Sequence, residues 1–157
     1  MAFQLDRIDR SILAALQDDA TLPVAEVAER AGLSASPCWR RIRRLEEEGI
    51  IRRRVALLDA EKLRVGVTVF VGIRTSQHNA AWAERFCRLV SAIPEVVEFH
   101  RMSGTVDYLL RVVVPDIAAY DAIYKQLIGI GDLLDVSSGF SMERIKYTTA
   151  LPTHYAP

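Results

Sequence analysis

Cysteine is nearly absent. The 157-residue chain has two, Cys38 and Cys87, far apart and in no C-x-x-C pair, which excludes a disulfide framework and a zinc knuckle. Histidine is as sparse: His78, His100 and His154 lack metal-ligand spacing, so neither a metal nor a cofactor is expected. No stretch approaches the roughly 20 uninterrupted apolar residues of a membrane span, and aspartates stand where a signal peptide would be basic and then apolar. The expectation is a cytoplasmic protein with no membrane partner. Net charge is missing too: 20 basic and 20 acidic residues cancel, a balance that normally argues against nucleic acid. Apolar residues are plentiful, at 50%, enough for one compact domain or two small ones.

The charge is concentrated, not absent. Between Ser36 and Arg54 stand seven arginines (Arg40, Arg41, Arg43, Arg44, Arg52, Arg53, Arg54) against Glu46, Glu47 and Glu48, an excess of four positive charges. The run "SPCWRRIRRLEEEG" places arginine first and glutamate last. Helix-dipole electrostatics favours the reverse order, so an anion outside the helix is the simplest compensation. The plainer alternative is a solvated face with Arg43–Glu47 and Arg44–Glu48 pairs worth a few tenths of a kcal/mol each.

The apolar period changes along the chain, and with it the architecture. Up to Gly49 the spacing is helical; after Val65 strands alternate with helices. The polar stretch 59–64 is the natural linker, dividing residues 1–60 from 61–157. Leu5, Ile8, Ile12, Leu13 and Leu16 stripe a first helix that Asp6 and Asp9 can cap. Pro23 opens a second, with Val24, Val27, Ala28 and Ala31 inward and Gly32 at its end. Ser34 is placed to cap a third helix, whose Cys38, Ile42 and Leu45 face inward, and Gly49 closes it before an expected strand "IIRRRVALL". Three helices and a basic strand predict a winged helix-turn-helix.

In such a motif the second helix of the pair enters the major groove, N-terminal residues first. With three positions turned inward, Ser36, Pro37, Trp39, Arg40, Arg43 and Arg44 remain outside, and Ser34 sits at the helix start. Arginine can read guanine or hold phosphate, and serine can donate to either. Arg52 and Arg54 would share one face of the wing and reach flanking phosphates. Double-stranded DNA is the partner this pattern predicts.

The second half predicts β-α-β-β-α-β, the ferredoxin-like split arrangement, so the fold class is α+β. In "VGVTVFVGI", Val65, Val67, Val69, Val71 and Ile73 occupy one face, and Gly66, Thr68, Phe70 and Gly72 the other. Neither is polar, which predicts a homodimer through this sheet. Trp82, Phe86, Leu89, Val90 and Ile93 mark the inner side of one helix. Ile117, Tyr120, Tyr124, Leu127 and Ile128 mark that of another, capped by Asp116. A last strand is expected from about Leu134 to Tyr147.

The run "LDRIDRSILAALQDDATLPVAEVAERAGLSASPCWRRIRRLEEEGII", followed by "MSGTVDYLLRVVVPDIAAY", resembles the leucine-responsive/asparagine-regulator (Lrp/AsnC) family of transcription regulators over nearly the whole chain. The resemblance implies a DNA-binding N-terminal domain and a C-terminal domain that assembles dimers into larger particles, often octamers, and binds an amino-acid effector. It puts the recognition helix on Ser34 to Glu48. The effector loop's glycine and aspartate fall on Gly104 and Asp107, flanked by Met102, Thr105 and Tyr108. Ser138 and Phe140, in a last strand with Ser137, Gly139 and Ser141, are implied to complete the pocket between subunits.

Backbone N–H groups near Gly104 and Thr105 could hold a carboxylate, and Asp107 could accept an ammonium. The same residues also suit a hairpin turn in which Asp107 caps the next strand. The small, hydroxyl-rich last strand favours a small or polar ligand, and "SPCW" with "KYTTALP" most resembles the sub-branch that senses L-cysteine. Two other readings are a DNA-wrapping architectural protein without effector and an amino-acid enzyme on the ferredoxin-like domain. For the enzyme there is no catalytic constellation: alternation does not bring His100, Ser103 and Asp107 together as a triad.

Overall fold

The computed structural model describes residues 4–156; residues 1–3 and 157, which the expected domains include, lie outside the described residues. The chain divides into two units. One runs to Leu57 and takes back the tail from Lys146, and the other is Leu58–Ile145. In this division the tail goes with the first unit, where the sequence expectation placed it with the second. Gln17 holds Leu151 at two points, donating to its carbonyl at 3.1 Å and accepting from its N–H at 2.7 Å. Arg10 donates to the Ala156 carbonyl at 2.9 Å.

The first unit is built on α1 (Arg7–Asp18), α2 (Val24–Ala31) and α3 (Ala35–Glu47). Asp6 and Asp9 form a reciprocal capping box at the start of α1: Asp9 N–H donates to Asp6 Oδ1 at 2.7 Å, and Asp6 N–H to Asp9 Oδ2 at 3.3 Å. Pro23 precedes α2 as its cap, and Gly32 ends that helix in the left-handed region at φ 70°, the conformation an L side chain resists. The chain can thus reverse within three residues and start α3. Ser34 occupies the cap position of α3, but its side chain makes no capping hydrogen bond. Ile12, Val27, Cys38 and Leu45 are fully buried at the centre of this unit, with Leu13, Ala28 and Ile42 around them.

The expected wing strand does not form. Residues 52–58 have no assigned secondary structure and are exposed, and only Ile51 packs on the helical core. A lone strand has nowhere to place its ladder hydrogen bonds, and among the described residues this unit has no strand to pair with it. Arg52, Arg53 and Arg54 accordingly share exposure instead of dividing between two faces.

The second unit opens with a hydrogen-bonded turn at 60–64 where a plain linker was expected. It continues as β1 (Val67–Thr75), α4 (Ala80–Ser91), β2 (Val96–Arg101), β3 (Tyr108–Val114), α5 (Ile117–Gly129) and β4 (Leu133–Phe140). The sheet order is β2-β3-β1-β4, antiparallel throughout, as the ferredoxin-like expectation requires. Val69, Val71 and Ile73 point at the helices, where they pack with Phe86, Val90, Leu110, Val112 and Leu127. Leu89, Ile117 and Ile128, expected inward, are exposed, Ile117 by 69%. Ile123 takes the inward position on α5 instead, because Tyr120, Ile123 and Leu127 follow the helical repeat more closely. The last strand stops at Phe140, seven residues before the expected Tyr147; β4 pairs only with β1, and past Phe140 the ladder continues by one bond, from the Ser141 N–H to the Thr68 carbonyl at 2.9 Å.

Candidate DNA-binding helix and effector loop

Burial of Cys38, Ile42 and Leu45 sets the rotation of α3. Ser36, Trp39, Arg40 and Arg43 are left exposed, with Pro37 half-buried at the first turn. Trp39 is 53% exposed. Arg40 lies beside Pro37 on the rim of an open depression that Arg41 and Arg44 also line.

The arginines of α3 fall into two sets. Arg41 and Arg44 reach back to α1, where Asp9 is buried: Arg41 Nη1 is 2.8 Å from Asp9 Oδ1 and 2.7 Å from Asp6 Oδ2, and Arg44 Nη2 is 2.7 Å from Asp9 Oδ2. These bonds to Asp9 and Asp6 raise the Arg41 pKa further. Asp6 is held below the usual carboxylate value, first by the Asp9 backbone N–H; desolvation opposes the shift and Arg41 adds to it. Arg44, expected on the outward face, is bound to Asp9 while its side chain stays 47% exposed.

Arg43 faces outward with Glu46 at 3.3 Å and Glu47 at 3.9 Å, and Arg54 meets the same Glu46 at 3.2 Å. Exposed pairs of this kind are weak and exchange readily for a polyanion. Asp9 as an arginine anchor was missed in the sequence. The available signal was the i, i+3 pair of aspartates, which capping alone seemed to explain.

At the other site, the β2–β3 connection carries Met102, Gly104, Thr105 and Asp107. The first three are exposed, and Gly104 takes φ 123°, open to glycine and strained for other residues. Asp107 does cap a strand: its Oδ2 accepts the Thr75 N–H at 2.8 Å, while its own N–H donates to the Ile73 carbonyl at 2.8 Å. Thr75 extends the link, with Oγ1 donating to the Asp132 carbonyl at 2.8 Å. Thr75 thus ties the loop to the start of β4, a role no sequence pattern announced.

Three expected effector residues lie elsewhere in the single chain. Tyr108 is buried in the aromatic core beside Phe86 and Phe99, and burial pushes its phenol pKa up. Ser138 and Phe140 pair with Val71 and Val69, so alternation turns them to the helix side. There Ser138 hydrogen-bonds the Tyr120 hydroxyl and Phe140 packs edge-on against that ring at 5.4 Å. On the open face Ser137 approaches the loop instead. A β-carbon at Gly72 would stand 2.9 Å from Ser137 Oγ and 3.0 Å from Val106 Cγ1. Gly72 is what lets Val106 and Ser137 close over β1.

Among the described residues there is no metal-ligating cluster, and no helix is long and apolar enough to cross a membrane. A helix-turn-helix with an arginine-bearing second helix, linked to an antiparallel βαββαβ unit with a glycine loop, defines a DNA-binding regulator with a separate ligand domain. Comparison with known proteins agrees at both ends of the chain. Residues 5–52 match the winged helix-turn-helix DNA-binding model, and residues 68–151 the Lrp/AsnC ligand binding domain. The chain belongs to the Lrp/AsnC family of transcription regulators.

It is 50% identical to the DNA-binding transcriptional activator DecR of Escherichia coli over 94% of this chain and 98% of that protein. A crystal structure of an AsnC family transcriptional regulator from Agrobacterium tumefaciens is 63% identical, with TM-score 0.92 over 96% of this chain and 99% of that one. A Neisseria meningitidis transcriptional regulator, solved as a complex with L-Met, is 34% identical, with TM-score 0.91 over 96% and 97%. These relatives are regulators and not enzymes.

Proposed function

We propose that the protein binds its operators through Ser34, Ser36, Pro37, Trp39, Arg40 and Arg43, with Arg52 and Arg54 on flanking phosphates, and that a small amino acid modulates this binding. The observation that carries the DNA half is the sorting of arginines on α3: Arg41 and Arg44 are bound to carboxylates of α1, while Arg40 and Arg43 stand outward beside an exposed tryptophan. The effector half rests on the loop. The exposed backbone at Gly104 and Thr105 suits a carboxylate, and the second Asp107 oxygen suits an ammonium. Met102, Val106 and Ser137 would flank the ligand. L-Cysteine is the effector to try first, alongside L-methionine, which the Neisseria relative holds.

The open sheet face supports self-association. Phe70 is 44% exposed there, opposite Arg111 on β3 and Gly139 on β4. A second copy would cover it, giving a dimer and, by further contacts, an octamer. A regulator of this kind works in the cytoplasm, where the DNA is.

The experiment is fluorescence anisotropy of the full chain on a duplex from upstream of its own gene and on a scrambled duplex, at fixed salt, with and without each amino acid. Tighter binding to the native duplex that one amino acid shifts is the expected result. Preference unmoved by any amino acid would remove the loop as a sensor of these ligands. Equal binding to both duplexes would favour an architectural role.

A further inference from the structure

The buried carboxylate of Asp9 holds two of the four arginines of the DNA-facing helix. Its Oδ1 takes Arg41 at 2.8 Å and its Oδ2 takes Arg44 at 2.7 Å, with Asp6 adding a second carboxylate to Arg41 at 2.7 Å. Arg41 and Arg44 nevertheless line the same open depression as Arg40, and their side chains remain 27% and 47% exposed. A rotamer change would carry either guanidinium into reach of a phosphate. Against them stand Asp6 and Asp9, so this cluster of four charges is neutral.

We propose that Asp9 is a specificity-determining residue of DNA binding: it withholds Arg41 and Arg44 from phosphate contact and fixes the angle at which α3 meets α1. Both effects act in the same direction. Each phosphate contact adds sequence-independent affinity through counterion release, so withholding two cations keeps binding to arbitrary DNA weak. Base-edge contacts need α3 in one register, so a clamped helix favours the matched site. The buried position explains why a carboxylate serves here, since a guanidinium pair at an exposed aspartate would exchange readily for phosphate.

The inference rests on α3 being the DNA-facing helix, and Arg40→Ala checks that separately: it must weaken binding to any duplex. The experiment compares the full-length protein with Asp9→Asn on a duplex selected from a random pool by the wild type and on a scrambled duplex, across a salt series. Asp9→Asn is expected to steepen the salt slope on scrambled DNA by about 1–2, the value of one or two added phosphate contacts. The selected-to-scrambled affinity ratio should fall about tenfold, the size of one lost bidentate base contact. Adding Arg41→Gln and Arg44→Gln to that variant should return the slope to the wild-type value.

An unchanged slope with both affinities lowered together, and circular dichroism intact, would make Asp9 a purely structural residue and overturn the proposal. Should Asp9→Asn fail to fold, Arg41→Gln and Arg44→Gln in the otherwise unchanged chain decide it. The withheld arginines predict no change of slope, and a slope reduced by about 1 for each would place them on DNA already.

Discussion

Individual side chains on α3 have separable tasks because their partners differ. Cys38, Ile42 and Leu45 are buried and hold the helix through apolar burial, at about 1.5–3 kcal/mol for a large aliphatic side chain. Arg40 has no such duty. Arg40→Ala or Arg43→Ala should therefore lower affinity on both native and scrambled duplexes and reduce the salt slope by about 0.9 each, while leaving the thermal midpoint in place. An unaltered slope would remove these residues from the interface. Asp6 makes a different prediction, on pH. Its native pKa lies below the ordinary 3.8, and a depressed carboxylate contributes stability above its unfolded value and loses it as pH falls through the native one. The midpoint gap between wild type and Asp6→Asn should thus be present at neutral pH and shrink below pH 3.8. A gap that widened on acidification would contradict the lowered Asp6 pKa, whose first cause is the Asp9 backbone N–H, with Arg41 adding to it.

The helices of the first unit were legible because helix signals are local. The capping aspartates, the glycine at φ 70° and the inward triple of α3 all lie within a few residues of what they control. The winged helix-turn-helix was legible, but the strand expected over the basic stretch 52–58 is not assigned, since a strand depends on a partner that sequence spacing cannot supply. The effector loop lies between these cases. Gly104 and Asp107 were recognisable, but that Thr75 is the partner of Asp107 follows from β1 lying beside β3. Asp107→Asn separates the two roles of that carboxylate. The amide oxygen can still accept from the Thr75 N–H, so DNA binding without effector should persist and the melting point should move little. The negative charge for an ammonium is gone, so any amino-acid response in anisotropy should disappear. A retained response would assign the ammonium to another group.

Across the whole molecule, the open sheet face and the returning tail are the features that extend beyond single elements. Phe70 sits among Gly72, Arg111 and Ser137 on the uncovered side. Phe70→Glu should shift the mass measured by light scattering toward a smaller species while circular dichroism stays unchanged; an unaltered mass would move self-association to another surface. The sequence by itself determined the two-part architecture, the α3 face, the β-α-β-β-α-β order and the family. Each of these follows from short-range periodicity or a contiguous motif. Only the tertiary structure decided that Arg44 answers to Asp9, that Ser138 and Phe140 face the helices, and that the tail from Lys146 returns to α1. These are pairings across 35, 18, 20 and 134 residues, and such contacts are set by how elements pack, where an arginine meets whichever buried carboxylate the fold brings within about 3 Å of it.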